Sequence, residues 1–439
     1  MLVVRGGILL ARANDRLNLL KRNNQAQITM GVLKYGPISR AHLAKMTGLS
    51  ITSVCRIADD LISEGVLVET GMGCGVRGRP MILLGVNPDG NPIAGVWLGS
   101  DCVEIVVAGP TGRILARRTV QYDIMGLDAA TSVALIAQQI QRCAASADKD
   151  VSSLRGVGVS VSGMVDPVSG TILSMPSRRF WEGVSVSRML SEQLDMPVFA
   201  DNDVRAGALA SGWLSDDGHD EDTLFVAVAD GISAAIVHGR EILAGAHNSA
   251  GQIGHMVLDP NGPVCSCGNC GCLSALASDY AFLREIWPEK AEEIVKMSLE
   301  KRRLMLKEGY RQALLCEERA NQAMLTVTRY LGIGIANAIA ALDPRTVFVS
   351  GALIDAAPAV VIDLIRREAM NHLMAHVRGV EIQALTNYEE FMLAGCAALV
   401  LWQPFKDLQR ENRFVQSVNK PDITGHTRVV RSEAVTGAR

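Results

Sequence analysis

One histidine and four cysteines crowd a single stretch of this chain, "GQIGHMVLDPNGPVCSCGNCGC" at residues 251–272. Thiolate and imidazole are the donors zinc prefers, and in a reducing compartment clustered cysteines point to metal rather than to disulfides. Redox chemistry is the rival reading, yet no CxxC here stands beside a thioredoxin-like pattern. A glutamine, Gln252, sits three residues before the histidine. Its neutrality beside so many ionisable donors raises the question of what the loop faces.

Such a loop needs a scaffold, and the composition allows a large one. The chain has 439 residues, 48% hydrophobic and 20% charged, enough for two or three folded domains with ample core. No apolar run approaches the roughly 20 residues that cross a bilayer, and the N-terminus breaks its apolar stretch at Arg5, against a signal peptide. The expected location is the cytoplasm, with no membrane partner. Charge is divided unevenly. Residues 1–80 hold 11 Lys/Arg against 5 Asp/Glu, while the whole chain has a net charge of −3. A basic head on an acidic body is the balance of a nucleic-acid-binding module joined to an effector body.

The head, residues 1–86 with a core at 24–84, has a readable pattern. "QAQITMGVLKYG" shows helical spacing and stops at Gly36-Pro37. Ser39 caps a helix to about Thr47, with Leu43, Ala44 and Met46 turned inward. Gly48 supplies the turn, and Ser50 caps a second helix whose Val54, Ile57, Leu61 and Ile62 are buried. This is helix-turn-helix spacing. The expected groove-facing residues are Ser50, Ile51, Thr52, Ser53 and Arg56, small or polar with one long cation. "VLVETGMGCGVRGRPMILLGV" then predicts strand, glycine-rich tip and strand, a wing with Arg77 and Arg79 at the tip to reach phosphate or a narrow minor groove.

From Asn87 the character changes. Strands run to about residue 120 with a turn at 110–112, followed by a helix at 128–146 and the buried strand in "LRGVGVSVSGMVD". A second round begins near Thr223, residues 281–330 and 324–342 look helical, and "TVFVSGALI" with "EEFMLAGCAALVLW" closes the body. Repeated β-β-β-α-β units predict a two-lobed α/β architecture around a cleft. The body is expected over 87–408, and the polar tail at 409–439 lacks periodicity and is expected to be disordered.

"SGMVDPVSGTI", "MPVFADNDVRAGALA" and the cysteine loop carry a resemblance, covering about residues 25–405, to the ROK family of bacterial repressors, open reading frames and sugar kinases. The resemblance implies an actin-like/hexokinase-like ATPase fold, and the wing "GVRGRP" is similar to that of the repressor branch. It implies that His255, Cys265, Cys267 and Cys272 hold a structural Zn²⁺ as a closed Cys₃His tetrahedron. Cys270 falls on a variable position, so five donors compete for four seats. The family's sugar-holding positions correspond here to Asn202, Asp203, Gln252, His255 and Ser274, with Asp203 at the general-base position. Gln252 and Ser274 stand where the family has glutamates, so the pocket is expected to be altered.

The nucleotide side departs further. Where the family's first phosphate loop has carboxylate and threonine, this chain has Trp97-Leu98-Gly99-Ser100-Asp101; its second loop reads "ADGISAA" at 229–235 with only Gly231 kept, and the adenosine-side glycines reduce to Ser350-Gly351-Ala352. ATP-dependent catalysis is therefore not expected, and Asp203 is a vestigial base. The leading expectation is a sugar-responsive transcriptional repressor, not an enzyme, binding double-stranded operator DNA as a homodimer or homotetramer. The rivals are a sugar kinase with an accessory DNA head, and a regulator whose effector is a protein.

Overall fold

The structure is a computed structural model that describes residues 21–401 except 22–23, 26, 30, 34, 75–79, 100–101, 122–126, 176, 215–221 and 239–240. Nearly all described residues belong to one compact unit, Gln27–Trp402; of the other unit, Met1–Ala26 with Gln403–Arg439, only Lys21, Asn24 and Gln25 are described, all helical. The expected wing tip with Arg77 and Arg79, the loop residues Ser100 and Asp101, and the tail 409–439 lie outside the described residues.

Two serines start the two short helices near the N-terminus. Ser39 Oγ accepts from His42 N at 3.3 Å to begin Arg40–Thr47, and Gly48 ends that helix in the left-handed region at φ 70°. Ser50 Oγ accepts from Ser53 N at 3.1 Å to begin Ile51–Ser63. Val54, Ile57, Ala58 and Leu61 recur at helical spacing and are buried with Ile28, Val32, Leu43, Leu67 and Leu84 in a core of their own. One expectation fails here. The two-turn helix buries Leu43 and packs the partly buried Ala44 against that core, but Met46 in its last turn is 43% exposed, projecting past it. A three-stranded antiparallel sheet completes the module, with Pro80–Val86 between Ile38–Ser39 and Leu67–Cys74.

Two five-stranded sheets follow, with the same strand plan. In the first, Ile93–Leu98, Cys102–Ala108 and Ile114–Gln121 form an antiparallel meander, and Val157–Val161 and Val198–Asn202 add in parallel on the other side. In the second, Thr223–Val228, Ile232–His238 and Glu241–Ile242 form the meander, and Thr346–Gly351 and Glu381–Ala384 add in parallel. The helix expected at 128–146 is Ala129–Ser146, capped by Asp128. The region 281–330 is helical in pieces, Asp279–Ile286, Ala291–Lys296, Leu299–Leu314 and the start of Glu318–Leu342. That last helix is long and apolar enough to cross a membrane, but its buried face, including Val327, Leu331, Ile335 and Ile339, packs in the core of the second lobe.

The lobes share a third core. Trp97 and Val106 of the first sheet, Val204 and Ala208 of the helix Asp203–Leu214, and Phe225 and Phe348 of the second sheet bury one another. The small module is joined to the body by a tight turn. Asn87 N donates to Val66 O at 3.0 Å and Asn87 Nδ2 to Gly65 O at 2.9 Å. Gly90 presses so close that a Cβ there would lie 2.7 Å from Gly65 O and 3.2 Å from Pro110 Cγ, at the tip of the first lobe's meander. Only glycine fits between those two surfaces.

Candidate functional site

A cleft of roughly 2190 Å³ opens between the lobes, and Asn202, Asp203, Gln252, His255 and Ser274 all line it. The fold brings them together from both halves. Asn202 ends a strand of the first sheet and Asp203 starts the next helix, while Gln252 and His255 lie on a turn beyond the second sheet's meander. Ser274 stands in the short helix Leu273–Ala277. Its hydroxyl accepts from Ile232 N at 2.9 Å, so it braces the turn at 229–231 as well as facing the cleft.

Asp203 is buried, and both its oxygens are taken. Oδ1 accepts from Asn202 Nδ2 at 3.1 Å and Val204 N at 2.9 Å. Oδ2 accepts from Ser162 Oγ at 2.5 Å and Trp97 Nε1 at 3.4 Å. Burial pushes the Asp203 carboxyl up from the ordinary carboxylate value, against the pull of Ser162, Trp97 and Val204. A general base needs a free lone pair aimed at the hydroxyl it deprotonates; here four donors already converge on the group. Asn202 Nδ2 also donates to Gly163 O at 3.0 Å, fixing the amide orientation.

On the nucleotide side, Trp97 is an apolar wedge, 7% exposed within the interlobe core and edge-on to Tyr388 at 6.4 Å. The second expected phosphate loop is a tight turn between antiparallel strands, Ala229 N donating to Gly231 O at 2.9 Å. Asp230 in that turn accepts from Arg302 Nη2 at 3.0 Å, and the buried Arg302 also lies 4.8 Å over the Tyr280 ring. Nearby Asp279 is pushed up to about 7 by burial and by Asp230, although Tyr310 donates to it at 2.9 Å. Arg302 is thus paired with Asp230, and the acidic Asp279 stands beside them, where polyphosphate would need exposed N–H groups and an uncommitted cation.

The metal-ligand set fits the ion. The ligand atoms of His255, Cys265, Cys267 and Cys272 all lie within 4.8 Å of one another. Cys265 Sγ is 3.6 Å from His255 Nδ1, and Cys267 Sγ is 3.7 Å from Cys272 Sγ. A tetrahedral Zn²⁺ with Zn–S near 2.3 Å has S···S edges of about 3.8 Å, so Cys267 and Cys272 already stand at the required spacing. Burial pushes the His255 pKa down, which keeps the imidazole neutral and able to ligate. Burial and two neighbouring thiols push Cys272 up to about 12, a bias a divalent cation reverses by taking the thiolate. Cys270 is exposed and falls outside the four-atom group.

At the other end of the chain, Ile51, Thr52 and Arg56 are exposed on the helix Ile51–Ser63 and Ser53 is partly so. Ser50 and Ser53 hydroxyls lie 2.9 Å apart and bind the helix start, so they present a capped, rigid end.

Two residues that the motifs did not single out matter to the cleft. Ser162 supplies the shortest bond to Asp203, and Arg205 is a buried cation in the apolar run "VRAGALA". A lone arginine among small apolar residues, four places after an aspartate, is a signal the sequence did contain.

Sheet order, the interlobe cleft and the Cys₃His loop define a two-lobed actin-like/hexokinase-like protein with a small helix-turn-helix module ahead of it. The description "ROK family" matches residues 93–402, and the chain belongs to that family. It is 29% identical over 400 residues to the xylose repressor of Caldicellulosiruptor bescii, covering 87% of this chain and 96% of that one. To the DNA-binding transcriptional dual regulator NagC of Escherichia coli K12 it is 27% identical over 344 residues, 77% of this chain and 83% of that. A solved ROK family transcriptional regulator, a homolog of the E. coli MLC protein, superposes with a TM-score of 0.74 at 23% identity, covering 90% of this chain and 98% of that.

Proposed function

We propose that this protein is a sugar-responsive transcriptional repressor of the cytoplasm. Residues 1–86 form a winged helix-turn-helix head that reads double-stranded operator DNA through Ser50, Ile51, Thr52, Ser53, Arg56, Arg77 and Arg79. Residues 87–408 form the sensing body, and two copies present two heads to a pseudo-palindromic site. A sugar bound at Asn202, Asp203, Gln252, His255 and Ser274 shifts the lobes, and DNA affinity changes by differential binding to two states. The names of the two relatives, a xylose repressor and a DNA-binding transcriptional dual regulator, support this reading. The observation that carries it is the saturated Asp203: a carboxylate already bonded by four protein donors holds the corner of the pocket in place and is not free to deprotonate a hydroxyl.

Zn²⁺ supplies structural rigidity when bound, with His255, Cys265, Cys267 and Cys272 as its holders. These residues fix the turn that presents Gln252 to the cleft. The body does not act as a kinase on this reading, since Trp97 and the Asp230–Arg302 pair fill the phosphate side.

The test is selection of genomic fragments by the purified, zinc-loaded protein at near-physiological salt, repeated with D-xylose and with N-acetyl-D-glucosamine. One symmetric motif, released by one sugar, is the expected result. Retention without sequence preference would sink the regulator reading.

A further inference from the structure

Arg205 joins three segments that are distant in sequence. Its Nε donates to Asp201 Oδ1 at 2.8 Å, and Nη2 reaches the same oxygen more closely still. Nη2 also donates to Val165 O at 2.9 Å, and Nη1 to Asn248 O at 3.2 Å. Arginine and aspartate are buried, at 2% and 3% exposure. Asp201 precedes Asn202 and Asp203, and Val165 lies two residues after Gly163, whose carbonyl fixes Asn202. Asn248 belongs to the second lobe, on the loop that continues through Ser249 and Gln252 into the cleft wall.

A buried guanidinium is expensive to desolvate, and its cost is offset only when its fork of donors is used. Here the fork is spent on segments that carry both halves of the cleft wall. We propose that Arg205 is the positioning residue of the polyol site: it locks the Asn202-Asp203 corner of one lobe to the Asn248–Gln252 loop of the other. Sugar affinity depends on that lock, although Arg205 itself does not touch the sugar. This rests on the sugar reading above, whereas the lock itself is a property of the protein without ligand.

The test uses full-length, zinc-loaded protein with Arg205→Lys, which keeps a charge beside Asp201 but loses the fork. Hydrogen–deuterium exchange comes first. In R205K, amides at 163–166 and 244–250 exchange at least tenfold faster together, while those of 280–286 are unchanged. Unchanged exchange at 244–250 would overturn the proposal whether or not any sugar binds. Thermal stabilisation by D-xylose or N-acetyl-D-glucosamine comes second. Its half-maximal concentration rises at least tenfold in R205K, while retention of a genomic operator fragment without sugar stays at the wild-type level. A wild-type midpoint in R205K overturns the positioning role. A wild type that no sugar stabilises sinks the sugar reading, and the exchange measurement still decides the lock. Should R205K fail to fold, Asp201→Asn, which weakens the ion pair and spares the fork, gives the same exchange pattern at smaller amplitude; no change at 244–250 in D201N overturns the lock.

Discussion

The indole of Trp97 donates Nε1–H to Asp203 Oδ2 at 3.4 Å across 106 residues of sequence. One side chain thereby fills the phosphate side of the cleft and occupies the carboxylate on the sugar side. On the proposed function, both features oppose phosphoryl transfer. Coupled detection of ADP across a monosaccharide panel should give no rate above background, and Asp203→Asn should leave that background unchanged. An Asp203-dependent rate would show that the carboxylate is freed in the presence of substrates.

Asp203 also makes sugar binding sensitive to pH. Its folded pKa is raised by burial, so protonation begins at a higher pH than for an ordinary aspartate. A protonated carboxyl can no longer accept from all four of its donors, so the Asn202–Asp203 corner that lines the pocket loosens. Sugar-induced stabilisation should therefore weaken on acidification, starting at a higher pH than an ordinary aspartate would give, and Asp203→Asn should both weaken binding and abolish that trend. Titration of thermal stability with D-xylose at three pH values is sufficient; a pH-independent midpoint in the wild type would contradict a role for Asp203 in shaping the pocket.

Metal analysis distinguishes the four-donor set from the five cysteine and histidine candidates. Wild type and Cys270→Ser should each hold one zinc per chain, whereas Cys265→Ser should hold none. Chelation should lower the melting temperature by about 3–4 °C, as for withdrawal of an ion held at about a hundred times its dissociation constant, about 2.7 kcal/mol. Loss of zinc from C270S would mean the loop rearranges around a different tetrad.

Arg56 is the exposed cation of the helix proposed to enter the groove. Arg56→Ala should weaken operator binding about tenfold and lower the salt dependence by about one ion. Fluorescence anisotropy at several salt concentrations reads both quantities. Ser50→Ala should instead cost about 1 kcal/mol of stability through the lost cap.

Asp279 supplies a stability test with a defined sign. Its pKa is raised from 3.8 to about 7, so between those values the folded protein binds more protons than the unfolded chain. Stability contributed by this group thus falls as pH rises from about 4 to 7, then levels off. Asp279→Asn keeps an acceptor for the Tyr310 hydroxyl and removes the charge. The variant should gain on the wild type over that window and no further above it, in denaturant melts from pH 4.5 to 8.5. A constant difference would place the burden of this buried acid elsewhere.

What the sequence made legible is mostly local. Caps at Ser39 and Ser50, the turn at Gly48 and the stripe Val54, Ile57, Leu61 are short-range patterns, and the fold honours them. The cysteine loop was equally legible as a donor set, because all of its ligands fall within 18 residues. The resemblance already set Cys270 apart on a variable position, and the geometry groups the same four donors without it. Trp97 was visible as a missing carboxylate but not as a donor to Asp203, and the Arg302–Asp230 bond spans 72 residues. Arg302 sits in a helix crowded with charges, where nothing marks one arginine as buried. Long-range polar partners are fixed by tertiary packing, which no spacing rule encodes. Met46 fails for a related reason: helical spacing marks a face, and only the packed module shows where that face runs out.

The turn at Asn87–Gly90 bears on operator architecture. Gly65 ends the second helix of the head and Pro110 tips the body, and Gly90 is wedged between them with no room for a methyl group. Such a joint has little swivel. A head on a loose tether could follow half-sites that drift apart, but each inserted base pair rotates the second half-site by about 35° around the duplex. For a pair of these chains, a single inserted base pair at the centre of the operator puts the second groove out of phase, and the body, not the linker, would have to turn to meet it.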